Sequence, residues 1–421
     1  MPRDSVSEWR KGWPVVLAAA LGLSAMEVHI NALGPLIQPI QHDTSWSRQQ
    51  VVVGYTIAKF ISVVLQPGIG ILMDKVGVRV VASLSLALYG LGLVCVSQAG
   101  PEFAVWLAAW VVLALPYSAL SVWVTGITGH FDVARGRALA FFLFGASLAG
   151  AGIPILTTLI AKAFGWRGAL LALTAYPIFI ALPVVAAVFK DARFARAPAL
   201  ATRAPPVEGL SAREIMQSRS FWLLGLAGIF MTATTAGFII HLVPILVDMG
   251  STQVQAAALM VWIGIGAFAG SLAAGFLLDR FPARFVTIAF MIVAMSSISM
   301  LMLAINNVVF QSFVVFAFGT TVGSLSACIA YLTGKYFAGK NFGFAYGVMS
   351  AALALGAGLG PLLGAMLYDR FHSYYYFELA SVVEFAVAAL SMLGLGPYPV
   401  LQEGAANDPG GKHFAAALVD D

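Results

Sequence analysis

Three features of the sequence predict an all-α integral membrane protein, with twelve transmembrane helices arranged as two pseudo-symmetric six-helix halves. Of the 421 residues, 60% are apolar and 10% charged, against about 25% charged in a soluble domain. Twelve apolar runs approach the roughly 20 residues a helix needs to cross a bilayer core. A ten-residue stretch ending the second run returns, little altered, 205 residues later.

The first run, 13–40, is too long and too polar at its centre for a cleaved signal peptide, and no small-residue cleavage site follows it. It is expected to remain as span one. Span two, 47–73, closes on GILMDKVGVR (70–79), which leads into span three, 79–98, and span four follows at 103–129. ARGRAL (134–139) enters span five, 137–162, and FGWR (164–167) precedes span six, 168–190. Residues 191–219 are rich in Ala, Arg and Pro, lack an apolar run and read as a linker. Spans seven to twelve follow at 221–248, 252–278, 284–304, 308–334, 342–368 and 374–396. The expected units are an N-terminal segment 1–12, a first half 13–190, the linker 191–219, a second half 220–396 and a tail 397–421.

Orientation follows from the basic residues, because cytoplasmic loops hold the excess of Lys and Arg. With the N-terminus inside, 18 of the 23 fall in cytoplasmic segments and 4 outside, and Lys59 stands alone within a helix. Both termini are therefore expected in the cytoplasm, in a cell membrane. The net charge of +4 is spread over scattered inside segments without a basic stripe, so nucleic acid is not an expected partner. Cys95 and Cys328 both fall inside spans, where neither a disulfide framework nor a metal site is expected. No metal or other cofactor is expected, and the chain contains no H-E-x-x-H and no G-x-S-x-G, so an enzyme is not expected either.

The repeat pairs GILMDKVGVR (70–79) with GFLLDRFPAR (275–284), and ARGRALAFFLFGASLAGAGIP (134–154) with GKNFGFAYGVMSAALALGAGLGP (339–361). Two six-helix halves in parallel repeat, joined by a basic loop and carrying G-x-x-x-D-(K/R)-x-G-x-R after span two, resemble the major facilitator superfamily of secondary transporters. The matching positions are Gly70, Asp74, Lys75, Gly77 and Arg79, echoed by Asp279, Arg280 and Arg284. Gly70 is expected to let helices approach closely, and Asp74 lies by the N-terminus of span three, where a negative charge is favoured. Lys75 and Arg79 keep the turn in water.

HFDVARGRALAFFLFGASLAG (130–150), TSWSR (44–48), FGWRGA (164–169), SRSFW (218–222) and EWRKGWPVV (8–16) look more finely like the monocarboxylate transporter branch and its oxalate/formate antiporter relatives. That resemblance implies alternating access and proton-linked movement of small carboxylates. It also implies a charged anchor in span eight, where this chain has Ser271 and Ala267, and a span-one Lys, where it has Asn31.

Within the spans, Glu27 lies about 21 Å above Trp13, and Lys59 about 22 Å above Asp74 on the descending helix, at 1.5 Å per residue. Equal depth on neighbouring helices makes them a candidate ion pair. Glu27 and Asn31 share a helix face, and His29 points away from it. Pore-facing candidates are Tyr117 and Ser121 on span four, Phe141 on span five, Thr320 and Ser324 on span ten, and Tyr346 on span eleven. His241 is a candidate proton site or a satisfied interfacial histidine, and Glu378 is expected at the outer interface. Glu384 lies deeper, with no evident partner.

The leading expectation is a monomeric transporter moving a small organic anion with protons, Lys59 taking the substrate carboxylate once Glu27 is protonated. A proton-coupled exporter of hydrophobic or cationic compounds, which needs no anion anchor, and a non-transporting receptor on the same scaffold remain open.

Overall fold

A computed structural model describes residues 5–128, 130–131, 134–189, 210–337, 339, 341–396 and 398. Among these, ten helical stretches are long and apolar enough to cross a membrane. One of them, Arg137–Val188, turns back on itself at Gly165 and supplies two crossings. That residue has φ +71°, a conformation open to glycine at little steric cost. The reversal shows in the packing: Gly145 lies against Ala20, and beyond the turn the Tyr176 hydroxyl donates to the neighbouring Leu21 carbonyl at 3.4 Å. Arg48–Val76, 29 residues long, packs against Phe103–Tyr117 and Phe342–Phe371 and completes twelve.

Two expected boundaries change, those of span one and of the linker. Span one begins at Ser5 and is interrupted at Glu27, giving Ser5–Met26 and Val28–Thr44. Span two starts where Ser47 and Gln50 form a reciprocal capping box, which satisfies free donors of the first helical turn. The expected linker 191–219 is helical at its end: Ala212–Gln217 is capped by Ser211. The Ser211 backbone N–H and hydroxyl hold the Glu214 carboxyl below its ordinary range. Most of that linker, and of the tail 397–421, lies outside the described residues.

Each half has its own apolar core, one built from spans one to six with Ile240 and Ala365 of the other half joining it, and one from spans seven to twelve. Spans eight and ten, Gln253–Leu278 and Val308–Tyr336, cross so closely that a β-carbon at Gly323 would overlap the Ala267 carbonyl. Small faces of this kind drive helix association in lipid, where apolar side chains gain nothing by leaving the tails.

The halves meet toward the end of the molecule that carries Arg48. There the Asp369 carboxylate accepts from the backbone N–H groups of Arg48 at 3.0 Å and Gln49 at 2.8 Å. The buried Arg48 guanidinium lies 3.2 Å from the Tyr368 ring centroid and 4.9 Å from that of Tyr374. Gln253 donates to the Pro35 carbonyl at 2.6 Å, and deeper down Thr56 donates to the Gly358 carbonyl at 2.8 Å.

The opposite end is open, which corrects the role expected of Gly70. A β-carbon built there, or at Gly275, meets nothing within 4 Å among the described residues. Gly77, at φ +89°, makes the turn between spans two and three. Lys75, Arg79 and Asp279 are exposed. Arg280 lies over Phe276 at 4.0 Å, and Arg284 donates to the Leu395 carbonyl at 3.3 Å. Asp74 lies in the last turn of span two, and its side chain is outside the described set.

Candidate functional site

Glu27 is the residue at which span one breaks, with φ −84° and ψ 0°. Hydrogen bonding continues across the break. Glu27 N–H donates to the Leu23 carbonyl at 3.1 Å, and the Glu27 carbonyl accepts from both the backbone N–H of Asn31, at 3.2 Å, and its side-chain amide, at 2.9 Å. The shared face predicted for Glu27 and Asn31 is observed: both line a cavity of about 220 Å³ between the halves.

The remaining lining comes from spans one, five, seven, eight and ten. It is apolar at Ile30, Leu143, Ile239, Ile263 and Val322, small at Ala146, Gly150, Gly264, Ala267 and Gly323, and hydroxylic at Ser147 and Ser271. Among the described lining residues Glu27 is the one ionisable side chain. Ala267 and Ser271, the positions where the resemblance implied a charged anchor, both face this cavity. Its uncharged span-eight wall is therefore a property of the site itself.

The expected Glu27–Lys59 ion pair is not formed. Among the described residues no direct salt bridge joins them; the Lys59 ammonium donates to the Tyr117 hydroxyl at 3.1 Å instead. Sequence spacing fixed depth but not direction, and Tyr117 on the neighbouring span presents an oxygen where the lysine stem ends. The two charges remain close enough to interact through space.

His29 points away from the cavity, as predicted. Its Nδ1 donates to the Met26 carbonyl at 3.0 Å beside the Tyr89 hydroxyl at 2.9 Å, and its ring lies 4.5 Å from that of Tyr117.

Of the other pore-facing candidates, the structure brings none to this lining. Span ten turns Val322 and Gly323 toward the cavity, while the Thr320 hydroxyl donates to the Ala317 carbonyl at 2.7 Å and that of Ser324 to the Thr321 carbonyl at 3.0 Å. Ser121 is exposed, Phe141 packs edge-on against Trp9 at 5.4 Å, and Tyr346 stacks on Phe342 at 5.8 Å.

His241 is fully buried away from the cavity. Its Nε2 donates to the Pro361 carbonyl at 2.7 Å, and its Nδ1 pairs with the Tyr374 hydroxyl at 2.9 Å, tying spans seven, eleven and twelve together. Glu378, in the first turn of span twelve, is buried, and Glu384 has a partner, the Thr234 hydroxyl at 2.5 Å. Ser147 lines the cavity although it lies within FGASLAG, which by sequence reads as a small packing face.

Comparison with known proteins bears on this arrangement. The pattern of the Major Facilitator Superfamily matches residues 15–306 and 224–418. A chloramphenicol resistance protein of Streptomyces lividans is 32% identical over 244 residues, covering 54% of this chain and 60% of the relative. A benzoate transport protein of Acinetobacter baylyi is 24% identical over 163 residues, covering 38% of this chain and 34% of the relative. The matches thus span less than two thirds of either relative. A bacterial homologue of the human lysosomal transporter Spinster, solved in an inward-facing and occupied conformation, superposes with a TM-score of 0.68 at 18% identity, covering 90% of this chain and 95% of that one. The same protein in an unoccupied conformation gives 0.66 at 16% identity. With the sequence pattern matching nearly the whole length, this chain belongs to the Major Facilitator Superfamily.

Proposed function

We propose that this transporter is a proton-driven antiporter that exports hydrophobic compounds, cationic or neutral, through alternating access of the cavity at Glu27. The observation that carries the reading is the cavity's charge: a single carboxylate among apolar and small side chains. An ionised carboxylate in a low-dielectric site costs several kcal/mol unless a cation or a proton accompanies it. Glu27 can hold either and not both, so the two compete, and competition for one site is what antiport requires. With the lysine- and arginine-rich end in the cytoplasm, the open end faces inward and the Arg48–Asp369 end is closed, which suits loading from inside. The chloramphenicol resistance relative supports a hydrophobic substrate.

Proton symport of a small carboxylate is the second reading. It is favoured by the Lys59 ammonium near the site and by the benzoate transport relative. It requires Lys59 to leave Tyr117 and enter a cavity that offers no other positive charge.

Proteoliposomes carrying a pH gradient separate the two. The antiport reading expects tetraphenylphosphonium or chloramphenicol to move against the proton flow, with gradient-driven movement lost in Glu27→Gln. Benzoate moving with protons, dependent on Lys59 and without movement of the cation, contradicts it.

A further inference from the structure

We propose that Tyr117 is a catch that holds the Lys59 ammonium away from Glu27 while that carboxylate carries a proton or a cation, and that release of the catch lets Lys59 pair with Glu27 and displace the cation. The inference rests on the antiport reading and assigns its specificity to a residue pair outside the cavity lining.

Four observations carry it. Lys59 and Glu27 are of opposite charge, lie within Coulombic range and yet are not paired. The Glu27 carboxylate accepts no hydrogen bond among the described residues and opens into the cavity. The Lys59 ammonium is bound to one phenol, 3.1 Å away, and lies 5.0 Å from the same ring's centroid. The Tyr117 ring is itself buried and braced by His29 at 4.5 Å, directly behind the break in span one.

A lysine on a flexible four-carbon stem can exchange partners by rotation alone. A neutral phenol competes for it on nearly equal terms only while the carboxylate is protonated or occupied by a cation. The charge that acts on Glu27 is that of Lys59, while the phenols of Tyr55, Tyr89 and Tyr117 lie in the field of Glu27 and His29 lies in that of Lys59. Because Tyr117 touches the back of the broken helix through His29, movement of the span-one halves in alternating access also moves the catch. Cation release thereby couples to the conformational change.

The test uses detergent-purified full-length protein, with tetraphenylphosphonium as the cationic probe and chloramphenicol as the uncharged one. Tyr117→Phe removes only the hydroxyl and should weaken cation binding about tenfold, with the neutral probe unchanged. Lys59→Ala alone, and Lys59→Ala combined with Tyr117→Phe, should bind the cation at least as tightly as the wild type. Unchanged cation affinity in Tyr117→Phe, or a double variant as weak as that single one, overturns the catch.

A second measurement is independent of any ligand. The infrared carboxylate band identified by its loss in Glu27→Gln should shift in Tyr117→Phe as the ammonium arrives, and an unmoved band overturns the proposal. If the wild type binds no cation while this band does shift, the antiport reading and the cation displacement built on it fail, and only the Tyr117 hold on Lys59 stands.

Discussion

At the scale of single residues, the site turns on which side chains carry charge into the cavity. Among the described lining residues Glu27 does so alone, so adding a positive charge opposite it should reverse the preference. Ser271→Arg places a guanidinium where relatives of the resembled branch hold theirs, and it should weaken cation binding by tenfold or more, roughly 1.4 kcal/mol. Equilibrium binding of tetraphenylphosphonium to the purified variant checks this. Asn31→Ala removes the side-chain donor to the Glu27 carbonyl and should cost about 1 kcal/mol of stability, read as a lower thermal midpoint. Much of this constellation was legible in the sequence: Glu27, Asn31 and the outward turn of His29 follow from helical spacing, and the uncharged positions 267 and 271 from the family resemblance. Lys59 was legible in depth only, since the rise per residue gives height while the rotamer decides whether a lysine ends on a carboxylate or a phenol. Thr320 and Ser324 failed for a related reason. Span ten is apolar on every side, so its periodicity has no phase, and its contact with span eight turns Val322 and Gly323 to the cavity.

At the scale of helices, two devices set the geometry. Spans eight and ten approach through glycine, and Gly323→Val should force them apart at a cost of about 1–3 kcal/mol, visible as a lower unfolding midpoint and a weaker neutral-probe affinity. The other device is the tie from Asp369 at the end of span eleven to the first turn of span two. A carboxylate on free helical N–H groups gains both hydrogen bonds and the helix dipole. Asp369→Asn should therefore loosen the closed end by about 1–2 kcal/mol, shifting the population toward opening there by roughly tenfold. Spin labels on the outer ends of spans two and eleven should report a larger fraction of long distances; an unchanged distribution would mean that the aromatic seat of Arg48 alone keeps the end shut. Neither device could be read in advance, because both join residues far apart in sequence. The capping box at Ser47 is local chemistry, yet the Asp369 partner comes from the other half of the chain.

At the scale of the whole molecule, the twelve crossings and the two halves were legible because the bilayer demands long apolar helices and because the loop motif returns after half the chain. What the period could not convey is the conformational state, since a repeat is equally compatible with either end being open. The open motif end and the closed Arg48 end are properties of packing between the halves. Orientation is tested by single cysteines, after replacement of Cys95 and Cys328, at Glu102, Asn306 and Ser211. An impermeant thiol reagent applied to intact cells should label the first two and spare the third. The central claim, that one carboxylate exchanges a proton for a cation, is tested most directly by calorimetric titration of tetraphenylphosphonium in buffers of differing ionisation enthalpy, below the pH at which Glu27 is fully ionised. Binding should release a proton from the wild type and none from Glu27→Gln. Binding without proton release in the wild type, or release undiminished in Glu27→Gln, would contradict it.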